Sequence, residues 1–135
     1  MESLIKIKDT EWIKLSKRAL RRTSKIFFDK YLKGKKVINK DNSVEIILAK
    51  SGWRHTIRTN KTSYNNIVIF KKLKKVIELA KFDNFGESQK SDPKTTLGFL
   101  NYQSEVLINQ EKYSVKITVR SDENGKFYYD HYIIE

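Results

Sequence analysis

Two runs of residues at the C-terminal end of the sequence have the period of β-strands and are joined by a turn signal. Residues 112–121 read KYSVKITVRS, in which apolar and polar side chains alternate, and residues 126–135 read KFYYDHYIIE. The linking sequence at 122–125 is DENG, and Asn-Gly between two such runs is the strongest short-range indication of a hairpin. Any fold of this chain therefore has to accommodate an antiparallel pair of strands here.

A two-residue turn would collect four polar side chains on one face of this hairpin. Arg120 would then pair with Tyr129. Thr118 would pair with His131, and directly opposed residues share a sheet face. A guanidinium, a hydroxyl, a phenol and an imidazole together suit a phosphodiester better than an apolar core. These four residues are therefore candidate catalytic residues.

The alternative is a three-residue turn with a bulge, which would flip the pairing. Arg120 would then lie beside Tyr128, and Thr118 would lie beside Asp130. The chemistry would in that case rest on a different set of side chains.

The charge of the chain indicates a polyanionic partner. Twenty-eight Lys and Arg against sixteen Asp and Glu give a formal net charge of +12. The hydrophobic content of 39% and the aromatic content of 12% argue against a disordered basic tail. A folded domain with this much self-repulsion typically binds nucleic acid, with an anionic membrane and an acidic protein as further possibilities.

Several classes of site are excluded or unsupported by the composition. There is no cysteine, which rules out disulfides, thiolate nucleophiles and cysteine-ligated zinc. The acids are scattered rather than clustered as a two-metal nuclease requires, and no phosphate-binding glycine motif is present. We therefore expect neither a metal nor a cofactor. No apolar run approaches the ~18 residues of a membrane-spanning helix.

The remaining pattern predicts one α+β domain, with an antiparallel meander and helices packed on one of its faces. We expect a helical N-terminal layer over residues 1–36, and a sheet with a second helix over residues 37–135. The first helix would run between Asp9 as N-cap and Gly34 as the residue after its end. The further predicted elements are short strands at 37–38 and 44–48, a helix at 64–81, a long loop at 82–96, and a strand at 100–108.

Basic residues on both predicted helices and around residue 55 are candidate contacts for RNA phosphates. Almost no acid relieves the positive charge of the first helix between Arg18 and Phe28. The candidate substrate-binding residues are Arg18, Arg21, Arg22, Arg54, Arg58, Lys61, Lys71 and Lys72.

The two histidines, His55 and His131, are candidate general acid and base. Both lie in segments rich in Arg, Thr and Tyr, which we expect to be strands that converge. Cleavage of RNA without metal needs a base for the 2′-hydroxyl proton and an acid for the 5′-oxygen. Histidine titrates near neutrality and serves in either role.

Two short motifs resemble the barnase/EndoU/colicin/RelE fold of small ribonucleases. They are the stretch GWRHT at 52–56, followed by a helix, and the YYDH stretch at 128–131 that ends a meander. The chain looks closest to versions in phage polyvalent proteins and in the C-terminal toxin domains of contact-dependent growth inhibition systems. The resemblance points to His55, Arg120, Tyr129 and His131 as site residues.

The resemblance also implies an activity, partners and a location. Such domains are typically metal-independent ribonucleases that often attack transfer RNA and are neutralised by a tight immunity protein, for which an acidic inhibitor would fit this charge. They act in the cytoplasm of a target bacterial cell as part of a larger secreted or phage-encoded polypeptide. The alternatives are a nucleic-acid-binding module without chemistry, or a basic domain that binds an acidic protein.

Overall fold

One mixed β-sheet organises the chain, and helices pack on one of its faces. The computed structural model describes residues 4–60, 63–88 and 94–134. The strands are β1 (Ile5–Ile7), β2 (Lys36–Ile38), β3 (Glu45–Ile47), β4 (Lys81–Glu87), β5 (Thr96–Ile108), β6 (Glu111–Asp122) and β7 (Phe127–Ile134). The helices are α1 (Lys17–Phe27), α2 (Lys50–Asn60), α3 (Tyr64–Val68) and α4 (Leu73–Leu79). A 3₁₀ turn precedes α1 at Trp12–Lys14, a π-helical turn extends α1 over Phe28–Leu32, and a 3₁₀ turn joins α3 to α4 over Ile69–Lys72.

The sheet has the strand order β1-β5-β6-β7-β3-β2, and β4 also pairs with β5. The predicted α+β class and the β5–β6–β7 meander are confirmed. The prediction of a purely antiparallel sheet is wrong, because β1 runs parallel to β5 and β3 runs parallel to β7. Both parallel pairs join strands that are distant in sequence, and the chain between the paired strands contains helices.

The inner face of the sheet packs on the helices and forms the core. On β6, Val115, Ile117 and Val119 are buried, as their alternation predicted. The Phe70 ring lies between those of Phe28 and Tyr132, with edge-on contacts at centroid distances of 5.8 and 5.4 Å. The opposite face, here called the outer face, carries the intervening β6 residues, which are exposed or half-buried.

The Asp122 amide donates a 3.0 Å hydrogen bond to the Lys126 carbonyl, which leaves a turn of three residues between them, so the expectation of a two-residue turn is wrong. Ser121 pairs with Phe127, and Gly125 adopts a left-handed φ of +82°. Glycine reaches that conformation without the steric cost that other residues meet. As in the alternative pairing, Arg120 lies opposite Tyr128.

A β-bulge in β7 then restores part of the original pairing. Val119 pairs with Tyr129 and Thr118 with His131, so Asp130 is the extra residue between two ladder positions. In a regular ladder Asp130 would lie opposite Thr118, and His131 would share the inner face with Tyr129. The bulge therefore turns His131 to the outer face.

The N-terminal and central segments differ from the sequence prediction in their details. Asp9 accepts hydrogen bonds from amides of the 3₁₀ turn rather than capping α1. The helix α1 begins only at Lys17, where Ser16 accepts a 3.2 Å hydrogen bond from the Ala19 amide. Gly34 has a φ of +77° after the end of the helix, as predicted. The second predicted helix is present as α3 and α4, which the 3₁₀ turn at Ile69–Lys72 joins. The prediction of a loop at 82–96 is wrong for residues 82–87, which belong to β4, and for Thr96, which begins β5. Residues 89–93 fall outside the described part.

Asp9 joins the N-terminal segment to the helical layer. It accepts hydrogen bonds from the amides of Trp12 (3.1 Å) and Ile13 (3.0 Å) and from the Tyr64 hydroxyl (2.9 Å), and its side chain is fully buried. The Lys71 ammonium lies 2.6 Å from its carboxylate and 4.7 Å from the ring centroid of Trp12. Burial raises the pKa of Asp9, but these donors outweigh burial and lower it to about 2.

Replacing Asp9 by Asn should therefore destabilise the protein in a pH-dependent way. A carboxyl whose pKa is lowered from 3.8 to about 2 adds stability above its unfolded pKa, and that stability is lost as the pH falls towards 2. We expect a loss of about 2 kcal/mol at neutral pH, from 1.36 kcal/mol per pKa unit. Urea unfolding at several pH values measures it. The difference between wild type and variant should shrink as the pH falls, whereas Glu11→Gln, on the exposed neighbour, should unfold like wild type throughout.

Candidate active site

The segment that contains His55 forms a helix, so the expectation that both histidines lie on strands is wrong. In α2 the buried side chains are those of Trp53, Thr56 and Ile57, which follow a helical period. Only two of them are large and apolar, which explains why the sequence favoured a strand. The Trp53 indole donates a buried 3.2 Å hydrogen bond to Ser24 and joins α2 to α1.

Gly52 lets α2 lie directly against β7. A Cβ built on Gly52 would lie 2.5 Å from the carbonyl oxygen of Tyr129 and 2.6 Å from Cε2 of its ring. No side chain fits in that space. One helical turn further, the hydroxyls of Thr56 and Tyr129 form a buried hydrogen bond. This contact brings α2 close enough for His55 to reach the bulge in β7.

The Asp130 carboxylate lies between the two imidazoles. Nδ1 of His55 is 3.0 Å from Oδ1 of Asp130, and Nδ1 of His131 is 2.7 Å from Oδ2. The Asp130 side chain is only 11% exposed, whereas those of His55 and His131 are 48% and 22% exposed. Two histidines that lie 76 positions apart in the sequence are therefore neighbours, joined by a carboxylate.

Asp130 is held in its ionised form. Burial alone would raise its pKa, but the hydrogen bond from His131 and the nearby charge of His55 outweigh burial and lower the pKa. An ionised carboxylate only accepts hydrogen bonds. Each Nδ1 must therefore carry the proton of its bond, which leaves Nε2 of each ring as the nitrogen that can exchange a proton. A carboxylate that fixes the tautomer of a histidine in this way also stabilises its imidazolium form.

Tyr129 is part of the core, not of the outer face where the two-residue turn placed it. Its side chain is fully buried, and burial raises the pKa of its hydroxyl well above the ordinary value. Tyr128, and not Tyr129, lies beside Arg120, as the three-residue turn predicted. The guanidinium carbon of Arg120 lies 5.0 Å from the ring centroid of Tyr128.

Thr118 and Arg120 lie on the outer face, in the same rows of the sheet as His131 and Tyr128. The Thr118 hydroxyl donates a 3.3 Å hydrogen bond to the side chain of Asn101. Arg120 is one row away from Thr118, and its nearest carboxylate is that of Asp122 at 4.0 Å. The structure thus puts both side chains on the face that carries His131.

The predicted phosphate contacts fall into three groups. Arg54 and Arg58 are exposed on α2 beside His55, and Lys72 is exposed before α4. Arg18, Arg21 and Arg22 are exposed on α1 and make no ion pair within the described residues. Lys71 is half-buried and occupied by Asp9, and Lys61 lies outside the described residues.

The side chains of His55, Asp130 and His131 form the group that could hold a metal ion. One ligand atom from each of His55, Asp130 and His131 lies within 4.8 Å of the others. Two imidazoles and a carboxylate suit a divalent transition metal. Among residues 4–60, 63–88 and 94–134, no other cluster of this kind occurs.

Sequence reasoning did not select Asp130 as a site residue. The residue stands in the YYDH stretch, but its role depends on a bulge that alternation does not reveal. Its position directly before a candidate catalytic histidine was the available signal.

One protein family matches most of the chain. The model for large polyvalent protein-associated domain 3 matches residues 16–129, which include α1 to α4 and the strands from β2 up to the bulge in β7, but not β1. Asp130 and His131 directly follow the matched region. No curated protein and no solved structure matches the chain. Within the described residues, none of the helices combines the length and apolarity needed to cross a membrane.

Replacing Gly52 by Ala should destabilise the protein, although alanine favours helices. An exposed helical Gly→Ala change gains about 1 kcal/mol. Here the added methyl meets backbone and ring atoms of Tyr129, and overpacking of this kind costs roughly 1–3 kcal/mol. The midpoint of thermal unfolding should fall, and the imidazole NMR signals of His55 should shift as α2 moves from Asp130. Ser51→Ala, on the same turn, is the control. A Gly52→Ala protein more stable than wild type would contradict the contact.

Proposed function

The chain belongs to the family of large polyvalent protein-associated domain 3, and we propose that it is a metal-independent endoribonuclease. The observation that carries this proposal is the pair of imidazoles on the Asp130 carboxylate. Both Nε2 atoms are free of that carboxylate, and the His55 ring is exposed enough to meet a large substrate. A neutral and a protonated imidazole in this arrangement form an acid–base pair.

The reaction is transesterification at a phosphodiester of RNA. Nε2 of one neutral histidine takes the proton of the 2′-hydroxyl, and the 2′-oxygen forms a bond to phosphorus. Nε2–H of the other histidine gives its proton to the 5′-oxygen as the bond from phosphorus to that oxygen breaks. The products are a 2′,3′-cyclic phosphate and a free 5′-hydroxyl. Asp130 positions both rings through their Nδ1 atoms.

Cationic and hydroxyl groups around the histidines would stabilise the charge on the phosphate. Arg54 and Arg58 extend from the same exposed side of α2 as His55. Arg120 and Thr118 approach from the outer face of the sheet. Guanidinium groups bind phosphate oxygens through paired N–H donors, and such groups act most strongly on charge that develops in the transition state.

The proposed substrate is transfer RNA, and the proposed inhibitor is an acidic immunity protein. The net charge of +12 and the exposed arginines of α1 support a polyanionic ligand. The family description supports the expectation that the domain works as part of a larger polypeptide. Its proposed place of action is the cytoplasm of a target bacterial cell.

A second candidate function is nucleic-acid binding without chemistry. The observation that favours it is the exposed stripe of Arg18, Arg21, Arg22 and Lys25, whose i, i+3, i+4, i+7 spacing gives one face of α1. A stripe of this kind binds backbone phosphates without any catalytic group. A basic domain that binds an acidic protein would present the same stripe. Catalysis and salt dependence distinguish these functions.

The chain should cleave RNA in the presence of a chelator and leave DNA intact, because only RNA has the attacking 2′-hydroxyl. Replacing His55 or His131 by Ala should slow cleavage by roughly 10²–10⁴-fold, the usual contribution of a general acid or base. Asp130→Asn should also slow it and shift the pH–rate profile, since an amide cannot stabilise an imidazolium in the same way. Gel analysis of a labelled transfer RNA, with mass spectrometry of the cyclic phosphate, measures both.

Two results would contradict this mechanism, and each points to a different alternative. Cleavage that requires an added divalent ion would assign His55, Asp130 and His131 to a metal. An absence of cleavage, with RNA bound as tightly by the His→Ala variants as by wild type, would leave the binding module. Lys36→Gln, at an exposed ion pair with Glu45, is a control that should cleave at the wild-type rate.

RNA binding should weaken steeply with salt through the α1 stripe. Each phosphate neutralised on a single strand contributes about −0.7 to the slope of log affinity against log salt concentration. Replacing Arg18, Arg21 and Arg22 by Gln should therefore make the slope shallower by up to roughly 2. Fluorescence anisotropy of labelled RNA with the His55→Ala variant measures this. A slope that the triple variant leaves unchanged would remove α1 from the RNA interface.

A further inference from the structure

Two aromatic side chains flank Arg120 in a row across the outer face. Phe99 of β5, Arg120 of β6 and Tyr128 of β7 are directly opposite one another in the sheet register. Directly opposed residues share a face, so the three side chains lie side by side. All three are half-buried, and thus leave part of their surface accessible.

Arg120 contacts both a ring and a carboxylate. Its guanidinium carbon lies 5.0 Å from the Tyr128 centroid, a cation–π contact, and its guanidinium nitrogen lies 4.0 Å from the Asp122 carboxylate. In the part of the chain that the structure describes, its Nε is covered and has no hydrogen-bond partner. The Tyr128 hydroxyl accepts a 3.1 Å hydrogen bond from Asn124, which fixes the ring at the turn end of β7.

The next row along the sheet contains His131 of the candidate active site. Asn101, Thr118 and His131 are opposite one another, two residues from the aromatic row along β5 and β6 and, because of the bulge, three along β7. Two residues of a strand span roughly 6.8 Å. The distance between the aromatic row and His131 is therefore of the size that one nucleotide covers.

We propose that Phe99, Arg120 and Tyr128 bind an unpaired base of single-stranded RNA by stacking, next to the phosphate that meets His131. Aromatic rings and guanidinium planes are the groups on which unpaired bases stack. In a duplex both faces of a base are covered by its neighbours, so this row selects unpaired RNA. The net charge of +12 favours a nucleic acid over an apolar peptide as the occupant. The inference rests on the proposed function for its choice of RNA, and it specifies an unpaired cleavage site.

Equilibrium binding of a short single-stranded RNA that contains 2-aminopurine tests the proposal without relying on cleavage. Binding is measured with the His55→Ala variant, which should not cleave the RNA at an appreciable rate. Stacking quenches the fluorescence of 2-aminopurine. Replacing Tyr128 or Phe99 by Leu keeps the apolar bulk but removes the ring. Loss of a base stack should weaken binding by about 5- to 150-fold and reduce the quenching. Tyr128→Phe keeps the ring and loses only the hydrogen bond from Asn124, so it should weaken binding less than Tyr128→Leu does.

Two controls separate stacking from other effects. Ile133 is an exposed apolar residue of β7, opposite Lys116 in the row beyond His131, and Ile133→Ala should not change the affinity. A duplex of the same sequence should bind more weakly and should not respond to Tyr128→Leu. If Tyr128→Leu does not fold, Phe99→Leu and the quenching in the parent protein still decide.

The outcomes distinguish this inference from the nuclease proposal. Ring-dependent binding of single strands by a protein that never cleaves RNA would keep the stacking row and remove the nuclease. Cleavage with unchanged affinity in both Leu variants would keep the nuclease and overturn the stacking row. Equal weakening of single-stranded and duplex binding would also overturn it, because only unpaired bases expose a face to the rings.

Discussion

The contact between Gly52 and Tyr129 is the constraint on which the candidate site depends. It lets the helix approach the sheet so closely that the helix backbone touches a tyrosine ring and its carbonyl. His55 follows Gly52 by one helical turn, and Asp130 follows Tyr129 directly. The same contact therefore sets the distance between an imidazole on α2 and a carboxylate on β7. The bulge then supplies the third group by turning His131 towards that carboxylate.

The site keeps a negative charge at the centre of a positive surface. Asp130 is nearly buried, while the arginines of α2 around it are exposed. A buried carboxylate is costly unless it is hydrogen-bonded, and here two ring nitrogens satisfy it. Asp9 follows the same rule, because Lys71 and Tyr64 share its carboxylate. In both places an acid joins segments that are far apart in sequence.

Local patterns predicted the parts of the fold that local forces determine. The alternation around Ile117 correctly predicted the inner face of β6. Thr118 pairs with His131, as the two-residue turn predicted. That agreement required two compensating deviations, a longer turn and a bulge, which no period-two pattern reveals. The helix around Trp53 was missed because its buried side includes Gly52 and Thr56, which carry little hydrophobic signal. The parallel pairings were missed because they depend on contacts between distant segments.

The central position of β7 also has a consequence for the order in which the chain can fold. This strand lies between β6 and β3, yet it is the last strand in the sequence. Until it inserts, β3 has no partner on that side, and α2 has no sheet surface on which to rest. Contacts between residues so far apart form slowly, because a long loop has to close before they contribute. On a ribosome, His55 would emerge 75 residues before Asp130, so the two halves of the site could meet only after β7 had been synthesised.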